Sequence, residues 1–524
     1  MTGPSEDRRG EPAPTHDCDA GPTPTSSASL EAPELKYGQH PGDRYVSIIR
    51  SEPARPTPRY IVSEEEVRER GSLAGAIARV RRLLVGPPIP TKHEIHERLT
   101  KLKALAVFAS DNISSSAYAT EEIMRVLVLA GVAALSWTLP LTLVIIAVLA
   151  VVVMSYQQTV RAYPNGGGSY IVANDNLGPV PGLVAAAALL IDYVLTVAVS
   201  IAAGVAALTS IFPTLFPARV LLCVLFIVLI MLGNLRGIRE SGTIFAAPTY
   251  IYLVAIFGLL GYGLLRYAGG TLPSYHAPVA WQQDEGLHTL SLLLLLRAFA
   301  SGSVALTGVE AVSNGVPAFK PPEPHNARIV LIIMGSLFGA IFLGMSFLAG
   351  HLGILPDPSE HETVVNQLAV TLVGAGNPWH YLVQFSTTLI LVLAANTAFA
   401  DFPRLASILG ADHYLPRQLR YRGDRLAFDA GIVFLSVVAS LLVVVFHGSV
   451  TNLIPLYTVG VFVAFTLSQS GMVRHWWRLR RLDRRWWVRA LFNGIGAAAT
   501  AVVAVVVGIA KFALGAWIVL LLIP

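Results

Sequence analysis

The stretch ASDNISSSAYATEE, residues 109–122, places Asp111, Asn112, four serines, Tyr118, Glu121 and Glu122 where an apolar segment should begin. Short polar side chains bond their own backbone and compete with the helical ladder, so this run favours an interrupted helix. A second polar interruption, ASGSVALTGVEAVSNG at 300–315, carries Thr307 and Glu310 with Gly302 and Gly308 as weak points. A third segment carries Asp192, then Tyr193, Thr196 and Ser200, which share one helical face at spacings of three and four. Carboxylates, hydroxyls and carbonyls released by helix breaks form an all-oxygen environment, which suits a hard, dehydrated cation. The apolar segments hold no His/Cys cluster, which argues against a soft transition metal. An amino acid carboxylate would need free N–H groups at the first break. That break has no glycine and does have Asp111, so the charge favours a cation. Glu310 lies deepest in apolar sequence and is the candidate carrier of a coupling proton.

Each group also has a plainer reading. Hydroxyls on membrane helices often bond the i−4 carbonyl or allow close packing. Asp192 reads equally as a cavity acid or as a structural partner near a membrane face. Tyr457, at a span end, reads from position as an interfacial belt residue. Glu121 and Glu122 are spaced to pair with Arg125, and Asp401 with Arg404, as local ion pairs. YPNGGGSY, 163–170, reads as a glycine-rich cytoplasmic turn and lacks the lysine of a phosphate loop.

These groups must be held by membrane spans. Of 524 residues, 54% are hydrophobic and only 14% charged, with mean hydropathy +0.59, which is a membrane-protein balance. Apolar segments near the twenty-residue spanning length run at about 103–131, 137–159, 181–208, 217–236, 243–266, 290–316, 326–350, 379–409, 427–446, 451–471 and 489–509. A final run, 511–524, is either re-entrant or part of a twelfth span. Arginines alternate from side to side. RHWWRLRRLDRRWW, 474–487, has six, whereas 351–378 has neither Lys nor Arg. The positive-inside rule then predicts eleven or twelve spans with a cytoplasmic N-terminus. The Arg/Trp loop reads as an interfacial anchor, with an anionic-lipid site as the second reading. Residues 1–95 read as a cytoplasmic extension, mostly disordered, with a candidate amphipathic helix at 63–85, and 96–524 as the transporter domain. Cys18 and Cys223 indicate no disulfide framework. The net charge of +5 lies mostly in short loops and does not point to nucleic acid. No soluble-enzyme motif is present, and no cofactor is indicated.

The words SDNISSSAYATEEI (110–123), YPNGGGSYIVANDNLG (163–178), DYVLTVAVSIAAG (192–204), ALTGVEAVSN (305–314) and IPLYTVGVFVAFTLSQSGM (454–472) carry a resemblance. In order and spacing they resemble the amino acid–polyamine–organocation (APC) superfamily, most closely its potassium–proton symporters of the KUP family, KimA type. The resemblance implies an all-α, LeuT-like fold of twelve spans. Two five-helix halves form an inverted repeat, with helices one and six broken. It further implies a homodimer in the cell membrane and proton-driven potassium uptake. Carried over by motif, the potassium ligands would be Asp111, Tyr118, Thr196, Ser200, Thr307 and Tyr457, and Glu310 would couple the proton. The alternatives are a proton-coupled amino acid or polyamine permease, or a non-transporting nutrient sensor.

Overall fold

The computed structural model describes residues 98–523 except 167, 237–241, 277–289, 422–427 and 483. It also describes four three-residue strands nearer the N-terminus. The chain divides into two units, 1–79 and 80–524. In the first, β1 (Leu35–Tyr37) pairs antiparallel with β2 (Arg44–Val46), and β3 (Ala54–Pro56) with β4 (Ile61–Ser63). Ser63, expected to open a helix, instead closes β4 opposite Ala54, because the ladder takes its backbone groups. The rest of the expected 63–85 helix lies outside the described residues.

The second unit is helical. The first span is made of three pieces, α1 (Lys101–Phe108), α2 (Ser110–Ser114) and α3 (Ser116–Leu127). Span two is α4 (Thr138–Ala162), and the short α5 (Gly168–Leu177) follows it. Spans three to five are α6 (Pro179–Ile211), α7 (Arg219–Leu235) and α8 (Gly242–Ala268). Span six is divided into α9 (Leu292–Gly302) and α10 (Val309–Asn314). Span seven is α11 (Glu323–Leu352), and α12 (Val364–Val373) lies in the connection after it. Spans eight to eleven are α13 (Pro378–Ala411), α14 (Asp429–Val445), α15 (Val450–Arg478) and α16 (Trp486–Ala510), and α17 (Ala516–Leu522) ends the described chain. Among the described residues nine helical stretches are long and apolar enough to cross a bilayer. Span one is not among them, being interrupted and carrying Asp111, Glu121, Glu122 and Arg125, and α14 is 17 residues long.

Lipid supplies no hydrophobic drive between helices, so packing depends on close contact. The third and eighth spans are central, with 78% of each apolar window buried, against 11% for the fourth. Gly460 of α15 lies so close to α6 that a Cβ there would sit 2.9 Å from the Ala188 carbonyl. Gly204 of α6 lies likewise against Leu391 of α13. On the outer faces Leu265 and Leu292 are each 73% exposed, as lipid-facing side chains must be. The first span packs on the sixth and the third on the eighth, so corresponding spans of the two halves pair.

Span six is fully unwound at its centre. After α9 a 3-10 turn runs over Ser303–Leu306, Thr307 is extended, and Gly308 is left-handed at φ +80°. Span one differs. Its breaks, at Ala109 and Ser115, keep right-handed helical angles. Ladder bonds continue through them, from Ile113 N to Ala109 O (2.9 Å) and from Ala119 N to Ser115 O (3.0 Å). The serines bend this helix without opening it. Ser114 and Ser115 both donate to the Asp111 carbonyl (2.9 and 3.1 Å), and Ser116 donates to Ile113 O (2.6 Å). The free carbonyls expected at the first break are therefore largely already bonded, and the open backbone belongs to span six.

Candidate cation-binding site

The two interrupted spans meet at Asn112. Its amide donates to the carbonyls of Ala305 (3.1 Å) and Thr307 (2.9 Å), so it satisfies the unwound backbone of span six. Gly308 permits this approach: a Cβ there would lie 2.7 Å from Asn112 N and 2.9 Å from Asp111 Oδ2. Asp111 is thereby pressed against the break, 6% exposed, with Oδ1 buried and without a hydrogen-bond partner. An unpaired carboxylate at membrane depth is costly, and such groups persist where function uses them.

The other expected ligands lie on the same span as Asp111 and on spans three, six and ten. Thr196 of α6 and Tyr457 of α15 share a hydrogen bond of 2.8 Å. The Ser200 hydroxyl is buried and unpartnered. Tyr118 shares a hydrogen bond of 2.9 Å with Ser115, one helical turn earlier on the same span. Thr307 donates its hydroxyl to Val304 O (3.0 Å), which leaves its oxygen lone pairs as acceptors. Tyr457 lies within electrostatic reach of Asp111, Asp192 and Tyr118, which draws spans one, three and ten together. Tyr457 is 1% exposed, which corrects its belt reading: Pro455 and the packing on α6 turn it inward. Asp192 is also interior, near the middle of α6, with Oδ1 buried and unpartnered.

Glu310 sits apart from that cluster, toward the arginine-rich face. Its carboxylate accepts the Ser169 backbone N–H (2.6 Å) and the Ser169 hydroxyl (3.0 Å). The glycine-rich turn is therefore more than a connection, because its end starts α5, where the Ser169 N–H and hydroxyl hold this acid. Gly168, at φ +52°, is needed there: a Cβ would lie 2.5 Å from Glu310 Oε1 and 2.1 Å from Asn314 Oδ1. Asn314 in turn donates to the Tyr193 hydroxyl (2.8 Å), and Arg404 donates to the Asn314 carbonyl (3.1 Å). Asp401 and Arg404 form the expected local pair at 3.9 Å. Sequence reading missed Ser169, Gly168 and Asn314 as a group, since 145 residues separate Gly168 and Ser169 from the far partner Asn314 only in chain order.

The opposite end is closed by charge. Arg125 donates to Glu121 (2.6 Å), lies 3.8 Å from Glu122, and donates to the Asp357 carbonyl (2.7 Å). Glu121 accepts the N–H of Val364 at the start of α12, and Glu122 accepts the Thr451 hydroxyl of α15. A small cleft lined by Tyr118, Glu122, Arg125, Glu360 and Thr451 lies at this end. Lys511 was also missed. It is 1% exposed, its Nζ has no hydrogen-bond partner, and it lies within electrostatic reach of Glu122 and Arg297. Its signal was visible as the lone lysine among the apolar residues after 489.

A helical bundle with paired interrupted spans and buried acids at their crossing defines a membrane permease. The chain belongs to the amino acid permease family, whose model matches residues 99–521, and it has the LeuT-like fold of the APC superfamily. Potassium transporter KimA of Bacillus subtilis (strain 168) is 43% identical over 451 residues, covering 85% of this chain and 72% of that protein. The low-affinity putrescine importer PlaP of Escherichia coli (strain K12) is 23% identical over 333 residues, 62% of this chain and 70% of that one. A solved Na+-coupled sialic acid symporter, substrate-bound and outward-open, aligns with a TM-score of 0.46 and 12% identity over 82% of this chain and 95% of that one.

Proposed function

We propose that this protein is a secondary active transporter that takes up potassium with protons by alternating access. The observation that carries this reading is the buried, unpartnered Asp111 oxygen, held against the unwound centre of span six. A hydroxyl pair and a further free hydroxyl lie on the neighbouring spans. A dehydrated monovalent cation satisfies such oxygens, where a neutral or anionic solute leaves the carboxylate unpaired. Similarity to a potassium transporter supports potassium as that cation. Asp111, Tyr118, Thr196, Ser200, Thr307 and Tyr457 form the ion site in this reading. Glu310 carries the coupling proton: it is buried, has no basic partner among its hydrogen bonds, and links the ion-side span to α5. The protein works in the cell membrane as a homodimer with its N-terminus inside.

One alternative has an observation behind it. Asp111 and Asp192 are two buried acids within electrostatic reach of each other, which also suits the two ammonium groups of a diamine. Flux into proteoliposomes of the purified chain separates the readings. Rubidium or potassium uptake driven by an inward proton gradient is expected, and Asp111→Asn lowers kcat/KM roughly 10- to 100-fold, the cost of one lost charged contact of about 1.5–3 kcal/mol. Putrescine flux without rubidium flux would assign the site to the diamine. Absence of both would leave a sensor.

A further inference from the structure

A second cavity lies on the arginine-rich face, away from the cation cluster. It is open, about 610 Å³, and is bounded by the ends of α4 and α15 and the starts of α11 and α16. Its charged lining is entirely basic: Arg161 from α4, Arg328 from α11 and Arg489 from α16, with no carboxylate among the described residues that line it. Trp476 of α15 lines it too. This indole is 5% exposed, and its Nε1–H is buried without an acceptor. The Arg328 Nε–H is likewise buried without an acceptor. The Arg489 guanidinium stacks on the Trp476 ring, 4.7 Å from its centre, and holds the indole in place. Buried donors without an acceptor beside a basic cavity call for an anionic oxygen acceptor.

We infer that this cavity binds the phosphate of an anionic phospholipid. The lipid source follows from the apolar part of the lining. Met154 and Phe492 line the same cavity and are 44% and 43% exposed on the lipid-facing surface, where acyl chains run. The anionic headgroup follows from the charge: Arg161 and Arg328, with no acid lining the cavity, repel the ammonium of a zwitterionic lipid. An interfacial tryptophan of the ordinary kind points its N–H to water or headgroups at the belt. Trp476 instead buries it without an acceptor beside a basic cavity. The inference does not depend on which ion is transported.

The full chain, purified in mild detergent, is exposed to defined phosphatidylglycerol and phosphatidylethanolamine mixtures, and native mass spectrometry counts retained lipid. One phosphatidylglycerol per chain is expected, in preference to phosphatidylethanolamine. Arg328→Gln and Trp476→Phe should each lower its retention about fivefold, the effect of one basic contact at a membrane surface in the first case and of one hydrogen bond in the second. Trp476→Phe keeps the aromatic ring under Arg489, so it decides the matter if Arg328→Gln fails to fold, with melting curves as the control. Equal retention by the natural chain and Trp476→Phe overturns the site. Equal retention of the two lipids overturns the anionic preference. Displacement by inorganic phosphate assigns the cavity to a soluble phosphate instead of a lipid.

Discussion

Thr196 and Tyr457 hold each other by one hydrogen bond of 2.8 Å between spans three and ten, so their contributions to an ion site are not independent. Thr196→Val and Tyr457→Phe should each raise KM for the transported cation about threefold to tenfold, the equivalent of about 0.5–1.5 kcal/mol. The double variant should lose less than the sum, because the shared bond is broken once. Additive losses in rubidium flux would mean that the two hydroxyls act separately. Gly168 makes a sharper case. Its left-handed φ and its closeness to Glu310 and Asn314 leave no room for a methyl group. Gly168→Ala should slow uptake at least about tenfold and lower the melting temperature as well, since a left-handed alanine and its clash cost about 1–3 kcal/mol. Glu310→Gln should remove the dependence of uptake on pH, and uptake that still follows pH would move the proton to another acid.

At the scale of elements, the two interruptions differ in kind. Span six opens because Gly308 adopts an angle that other residues reach only with strain, and Asn112 satisfies the carbonyls that result. Span one stays closed because its serine hydroxyls bond back onto its own carbonyls. Rigid contacts surround this opening. Gly460 on α15 meets the Ala188 carbonyl of α6, and a methyl there must push the helices apart. Gly460→Ala should destabilise the detergent-solubilised protein by about 1–3 kcal/mol, read as a lower melting temperature. An unchanged melting temperature would show that α6 and α15 separate at little cost.

Across the whole molecule, ties at opposite ends flank the central acid. At one end Arg125 joins span one to the Asp357 carbonyl and pairs with Glu121 and, more distantly, Glu122. At the other, Ser169 holds Glu310 and Arg404 holds the end of α10. Alternating access requires that these ends release in turn. Arg125→Ala leaves Glu121 without its cation and Glu122 with only Lys511 in reach, and should cost about 3–5 kcal/mol, measured by thermal melting. Orientation is testable on the same scale. The charge pattern predicts that Arg480→Cys is labelled by an impermeant thiol reagent only from the cytoplasmic side and Ser359→Cys only from outside. The reverse pattern would invert the topology. Both variants are made in a Cys18→Ser background, and Cys223 is buried.

The spans, their number and the positions of their polar interruptions were legible in the chain because lipid imposes a simple rule. About twenty apolar residues cross, and every departure from apolarity is costly. Asp111, Thr196, Ser200 and Glu310 stand out against that background without any coordinates. Their environments do not, because they depend on contacts between residues far apart in sequence. The inward turn of Tyr457, the grip of Ser169 on Glu310, the plugging of span six by Asn112 and the buried Lys511 all arise where one helix meets another. Hydropathy reports burial against lipid, whereas the choice of partner for each buried polar group was made only when the helices packed.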